Sequence, residues 1–276
     1  MILSASGGLV YHARAAFTRI ESLISVSGED RWAPTRRCVS THVARWLAEL
    51  TPDTLVIFGP SAGYLLEPDF FASLKAYAGT TPLKIIAIDP DPLAALLFRR
   101  RFSSSPVEWH TRHDLLPFGS PEANTFADFL DQVSLSSKKP AVLFLGLLGQ
   151  LPLHAERATR SAFEARRILM RELADFNWAS LHDLESTTLD RRLRELPPAL
   201  RPDSFAAAAH ENLLDSSETR VEFSDNRLRN LAVPAKAWID HETDWLGRPE
   251  VVIPWLLTPR RFHHLGFLKT SIVVTD

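Results

Sequence analysis

The chain has one cysteine, Cys38, among 276 residues. A lone thiol excludes an internal disulfide framework and a cysteine zinc cluster, each of which needs several. It fits a reducing compartment. Charge of one sign is also lacking. Lys and Arg total 31 against 33 Asp and Glu, a formal net charge of −2. That balance argues against a dedicated nucleic-acid binder, whose affinity rests on neutralising phosphates. No stretch approaches the roughly 18 consecutive apolar residues of a membrane span. Residues 1–10, MILSASGGLV, lack the basic start and apolar run of a secretory signal. A soluble, cytoplasmic protein is the expectation. Internal repeats, coiled-coil heptads and low-complexity tracts are missing as well. With 45% hydrophobic and 23% charged residues, the composition is that of a folded globular chain.

What is present is an alternation. Residues 11–25 carry apolar groups at helical spacing, and 27–30 read as a break. Pro34 suits a first helical turn, and Val39, Val43, Trp46, Leu47 and Leu50 continue as one stripe. Thr54–Phe58, Leu83–Ile88 and Ala141–Leu145 are short, wholly apolar and rich in β-branched residues, as strands buried on both faces are. Val107–His110 is a weaker strand and 178–183 a further one. Helical patterns fill the intervals at 64–77, 93–102, 126–133 and 155–176. Residues 187–229 read as helical with proline interruptions. Strands are expected at 235–240 and 269–275, separated by a loop with proline and tryptophan.

This order implies right-handed crossovers and an α/β fold. The expectation is a Rossmann-like, mostly parallel seven-stranded sheet with an antiparallel edge strand. An N-terminal helical cover would span 1–50 and the core 51–276. A helical insertion at about 187–232 would precede the last two strands.

In such sheets ligands bind outside the carboxyl ends of the strands. Five places qualify. Gly59-Pro60-Ser61-Ala62-Gly63 permits a tight turn and leads toward a helix start, where backbone N–H groups favour a ligand. Asp89 ends the second strand and could accept from ribose-like hydroxyls. Asp91 before Pro92 is the better helix cap. Asp114 follows the weak strand. Gly146 to Leu151, with Gly149 and Gln150, follows the fourth. His182-Asp183-Leu184-Glu185 brings titratable groups to a strand end. Each has a plainer reading as a packing turn, a cap or surface residues.

Taken together, Val56-Ile57-Phe58-Gly59-Pro60-Ser61-Ala62-Gly63, Ile86-Ala87-Ile88-Asp89, Asp114-Leu115-Leu116 and Val142-Leu143-Phe144-Leu145-Gly146 resemble a class I S-adenosylmethionine-dependent methyltransferase. The resemblance covers roughly 51–185 and 233–276. It implies S-adenosyl-L-methionine as cofactor. Gly59, Ser61 and Gly63 would lie at its methionine part, Asp89 at the ribose and Asp114 at the adenine. Gly146 and Gln150 would line the cofactor and methyl acceptor. The chain departs from the family at Phe58, where an acidic residue is usual, and at Pro60 inside a loop reduced to two glycines. It carries no Asn-Pro-Pro-Tyr-like motif after the fourth strand.

Candidate bases, from position, are His182, Asp183 and His154. Tyr11, His12, Trp32 and Arg36 in the cover are the candidate acceptor contacts. The near-neutral charge favours a small-molecule or peptide acceptor over nucleic acid. A catalytically degenerate relative that binds cofactor or partner without turnover is the main alternative. A nicotinamide-dependent oxidoreductase comes second, although Gly59–Gly63 does not match its Gly-x-Gly-x-x-Gly loop. Asp89-Pro90-Asp91 as a glycosyltransferase metal motif is a weak signal. The pairs His110/His113 and His263/His264 lack a third zinc ligand at recognisable spacing, so no metal is assigned.

Overall fold

The computed structural model describes residues 28–77, 83–103, 107–116, 125–148, 162–188, 239–241, 243–258 and 261–270. In chain order the elements are α1 (Gly28–Leu50), β1 (Thr54–Phe58), α2 (Phe70–Tyr77), β2 (Lys84–Ile88), α3 (Pro92–Arg101), β3 (Val107–His110), α4 (Thr125–Ser136), β4 (Pro140–Leu145), α5 (Ala162–Glu172), β5 (Asn177–Thr188), β6 (Ile239–Asp240), β7 (Val251–Thr258) and β8 (Arg261–Lys269). Short 3₁₀ turns stand at His113–Leu115 and Asp244–Leu246.

The strands form a mixed sheet in the order β3-β2-β1-β4-β5-β8-β7, with two-residue β6 beside the far end of β5. β1 to β5 are mutually parallel. The sheet closes with the antiparallel pairs β5–β8 and β7–β8. Along that path the strand running against the rest is β8, one place in from the edge, and the short β6 likewise runs antiparallel to β5. Strand order reverses at β1, which lies between β2 and β4. That is the topological switch point where open α/β sheets bind ligands.

Alternation along β1 explains the layers. Leu55 and Ile57 join one apolar core with Val39, Val43 and Trp46 of α1, Phe70, Phe71 and Leu74 of α2, and Phe98 of α3. Val56 and Phe58 enter the other, with Phe126, Leu130 and Val133 of α4 and Ala165 and Leu169 of α5. Successive side chains of a strand point to opposite faces, so a run buried on both sides must be apolar throughout. Phe58, at the family's usual acidic position, stacks on Phe144 with centroids 5.2 Å apart. It is a core residue.

Several boundaries differ from the sequence reading. Gly28-Glu29-Asp30 opens α1 instead of breaking the chain, and Pro34 sits inside that helix. The part of the expected cover that is described, α1, is packed on the sheet as a layer of the core. α2 begins at Phe70, not at residue 64, because Pro68 disfavours helical geometry at Glu67.

The closing strands are the largest correction. They were expected at 235–240 and 269–275. Two-residue β6 falls at the end of the first range, but the closing hairpin lies at Val251–Thr258 and Arg261–Lys269, in the stretch read as loop. Pro254 suggested a loop, but β7 is an edge strand, where a missing N–H costs no ladder bond. Residues 11–25, 155–161, most of the 187–232 insertion, and 271–275 lie outside the described residues. No helix among the described residues is long and apolar enough to cross a membrane.

Candidate functional site

The carboxyl ends of the parallel strands are laced together by backbone bonds. Gly59 N–H donates to Ile88 O at 2.9 Å, Asp89 N–H to His110 O at 3.1 Å, and Gly146 N–H to Leu181 O at 2.7 Å. The segments after β1, β2 and β4 therefore share one rim.

The loop after β1 is held by its neighbours. Ser61 takes a left-handed conformation at φ 49°, uncommon for a residue with a Cβ. This geometry accompanies an N–H bond from Ser61 to Asp89 Oδ2 at 2.9 Å. The other carboxylate oxygen accepts from Asp91 N–H at 3.0 Å. Asp91 itself caps α3, its Oδ1 accepting from Leu93 N–H at 2.9 Å, with Pro92 at the first helical position. Asp89 is 9% exposed. Each carboxylate oxygen thus accepts from a backbone N–H, and an ionised carboxylate has about four acceptor positions in all. Farther along, Arg101 donates to Leu66 O, Ser40 Oγ accepts from Glu67 N–H, and Arg36 lies 3.9 Å from the Glu67 carboxylate. Arg36 is placed against this loop.

The three predicted glycines divide by surroundings. A Cβ on Gly63 would fall 2.3 Å from a ring carbon of Phe102, so this glycine admits α3's end against the loop. Gly59 is hemmed by Leu147 and the Leu145 carbonyl. Gly146 also has positive φ, 70°, but no described residue comes within 4 Å of its Cβ position. Gly59 and Gly146 stand at the ends of β1 and β4, on either side of the switch-point crevice, and among the described residues the Gly146 side is open. Asp114 lies at the third strand's end, its carboxylate accepting from the exposed Arg112 guanidinium.

β5 continues past the end of β4. β4 ends at Leu145 opposite Leu181, whereas β5 runs on to Thr188. With the adjoining parts of β7 and β8 it forms a wall beyond the rim. A β-bulge at Leu184 interrupts its register. Asp183 and Glu185, two apart, would ordinarily share a face. The extra residue turns them to opposite faces. Each meets one of two adjacent histidines on β8, which strand alternation also sends to opposite faces. His263 Nδ1 lies 2.8 Å from Asp183 Oδ1, and His264 Nδ1 lies 2.7 Å from Glu185 Oε1.

The Asp183–His263 pair belongs to an aromatic cluster. Trp255 lies 5.5 Å from the His263 ring, centroid to centroid, and the His241 ring stacks at 6.2 Å. Trp32 touches Trp255 at 5.8 Å and Tyr64, next to Gly63, at 5.7 Å. Trp32 thus links the glycine loop to the β7–β8 wall. His263 Nε2 and Trp255 Nε1 are buried with no hydrogen-bond partner among the described residues. A buried polar atom left in that state costs about 1–3 kcal/mol.

His182 behaves differently. It is fully buried, with Ser180 Oγ 3.1 Å from Nδ1, and Nε2 would lie 3.1 Å from a Cβ on Gly266. Burial pushes its pKa down to about 4, so the ring is neutral at pH 7 and a weak proton acceptor. Tyr11, His12, Gln150 and His154 lie outside the described residues.

Sequence reasoning missed His263 and Trp255. His263 was weighed only within a His–His pair for zinc, whose members the strand sends apart, and Trp255 only as part of a loop with proline and tryptophan. Among the described residues no three His, Cys, Asp or Glu side chains gather as a metal site would require.

No family profile matches the chain, and no curated protein matches it. Solved structures to which the chain is similar include the N-methyltransferase NodS of Bradyrhizobium japonicum with S-adenosyl-L-homocysteine. It is 10% identical, with 85% of this chain and 87% of that chain covered and a TM-score of 0.35. An O-methyltransferase of Bacillus cereus, also bound to S-adenosylhomocysteine, is 11% identical over 94% and 100% of the chains, TM-score 0.34. A Rhodobacter sphaeroides protein described as a zinc-dependent alcohol dehydrogenase is 12% identical over 90% and 100%, TM-score 0.38. Likeness at these levels carries no assignment of function.

Proposed function

We propose that the chain is an S-adenosylmethionine-dependent methyltransferase, with its cofactor at the β1/β4 switch point and a small-molecule or peptide acceptor against the β5–β8–β7 wall. The observation carrying this reading is the Asp89 latch. A buried carboxylate at the end of β2 accepts from Ser61 N–H and so holds the β1 loop at the rim that Gly59 and Gly146 share. The strand order, with antiparallel β8 set between β5 and β7, agrees with the sequence resemblance to class I methyltransferases.

The residues present fit the cofactor. Asp89 would accept from the ribose hydroxyls. Gly59, Ser61 and Gly63 would form the floor under its methionine part, and Gly146 the open lip beside its reacting end. Asp114 would meet the adenine after exchanging its Arg112 bond. Bound S-adenosylmethionine supplies a methyl group on a sulfonium, which an acceptor displaces in line.

The protein's share is orientation and exclusion of water. Aligning acceptor, methyl carbon and departing sulfur removes the entropy cost of an encounter in solution. The Trp32, Tyr64 and Trp255 rings would supply an apolar boundary. Asp183 stays a candidate for proton handling, together with His154. His182, neutral and enclosed, would serve mainly in packing.

The test is thermal unfolding with S-adenosylhomocysteine, S-adenosylmethionine and NADH in parallel. Saturating the native site at about 100 times Kd stabilises it by about 2.7 kcal/mol. Stabilisation by the two adenosyl compounds alone supports the reading. Stabilisation by NADH alone replaces it with the oxidoreductase reading.

A further inference from the structure

Resting on the methyl-transfer reading, we propose that His263 is the proton acceptor for a hydroxyl on a flat aromatic acceptor, oriented by Asp183 and assisted by Trp255. The geometry states the chemistry. Asp183 Oδ1 sits 2.8 Å from His263 Nδ1. A carboxylate there accepts Nδ1–H and leaves the lone pair on Nε2. That Nε2 is buried and has no partner among the described residues, and the same holds for the Trp255 indole N–H. One is an acceptor, the other a donor, and their rings adjoin at 5.5 Å.

A hydroxyl answers both. Its oxygen accepts from Trp255 with one lone pair and attacks the methyl carbon with the other. The O–H proton passes to His263 Nε2. An O–C bond forms, the S–C bond breaks with its electron pair going to sulfur, and the imidazolium produced is balanced by Asp183. An amine fits poorly, because its one lone pair would be occupied by Trp255 at the moment it must attack. The neighbouring rings, Trp255 and His241 on His263 and Trp32 beyond, favour a flat aromatic body on the hydroxyl.

Among the described residues, the titratable groups facing the His263 ring are Asp183 from β5 and His241 from the segment after β6. β7 contributes the uncharged Trp255 ring. Transfer should therefore depend on pH through this base.

The test uses the full chain with labelled S-adenosylmethionine and two acceptor panels, simple phenols and the matching aryl amines. S-adenosylhomocysteine affinity is measured alongside by calorimetry. The expected result is transfer to phenols over amines. His263→Gln should lose at least about 100-fold in kcat, with S-adenosylhomocysteine affinity within twofold and that pH dependence abolished. Asp183→Asn should lower kcat and alter that pH dependence.

A wild-type protein that binds S-adenosylhomocysteine but methylates amines, or no phenol, overturns the proposal and leaves the cofactor reading standing. A protein that binds no S-adenosylhomocysteine overturns both. Nitrogen NMR of the histidines in unmutated protein reads the tautomer directly. A proton on His263 Nε2 with Nδ1 bare overturns the proposal even where the variants fail to fold.

Discussion

Removing the Asp89 carboxylate tests the latch on two independent scales. Asp89→Ala takes away the acceptor of two backbone N–H groups, Ser61 at 2.9 Å and Asp91 at 3.0 Å. Hydrogen bonds to charged groups contribute about 1.5–3 kcal/mol each. The two bonds share one carboxylate at the margin of burial, and water can enter the space left. A combined loss of about 2–4 kcal/mol follows. For a chain of this size each kcal/mol moves the melting point by roughly 2–4 °C, so the drop should be about 4–16 °C. Asp89→Asn keeps one acceptor oxygen and turns an amide donor toward the second N–H. It should lose about half as much stability as alanine. Urea unfolding with matched m-values gives the stability change. Calorimetry with S-adenosylhomocysteine gives the second scale, on which both variants should bind more weakly. An alanine variant with the wild-type urea midpoint would refute the latch. One that binds S-adenosylhomocysteine unchanged would refute the ribose role.

The glycines separate packing from binding. Gly63→Ala, with φ 73° and a Cβ 2.3 Å from Phe102, should cost about 2–4 kcal/mol in urea unfolding. Gly146→Ala meets no described residue, so it should cost only about 1–2 kcal/mol while weakening S-adenosylhomocysteine binding in calorimetry. His182, lowered from 6.5 to about 4 by burial, should make the protein acid-sensitive. Its contribution is intact above pH 6.5 and is lost as pH falls from 6.5 toward 4, where the unfolded chain binds a proton that the native one refuses. The loss is about 3 kcal/mol in all, and His182→Gln should flatten the urea-midpoint profile over that window. Cys38, its thiol pushed up to about 12 by burial, should react with a thiol reagent at pH 8 only on unfolding. Rapid labelling of the native protein would contradict that placement.

The parallel half of the fold was legible because its strands announce themselves. Val56-Ile57-Phe58 and Val142-Leu143-Phe144 are buried on both faces, and that burial leaves an unbroken apolar run. Asp91 before Pro92 read correctly as the cap because capping is local chemistry. The closing hairpin was illegible for the opposite reason. Pro254 and two histidines look unlike a strand until β7 is known to be an edge and β8 is known to face carboxylates from β5.

The site split along the same line. Asp89 and the glycine loop are each a few residues long and sit directly after strong strands. The Asp183–His263 contact joins residues 80 apart and depends on a one-residue bulge at Leu184. No periodicity in either segment encodes that bulge. His182 drew attention as the first titratable group at a strand end. Its side chain is the one the pleat turns into the core.

The most direct measurement is a crystal structure of the chain grown with S-adenosylhomocysteine. The account predicts the ligand across the β1/β4 crevice, with its ribose hydroxyls on Asp89, its amino-acid part over the Gly59–Gly63 loop and its sulfur beside Gly146. A ligand found elsewhere on the molecule, or a crevice that stays empty at saturating ligand, would contradict it.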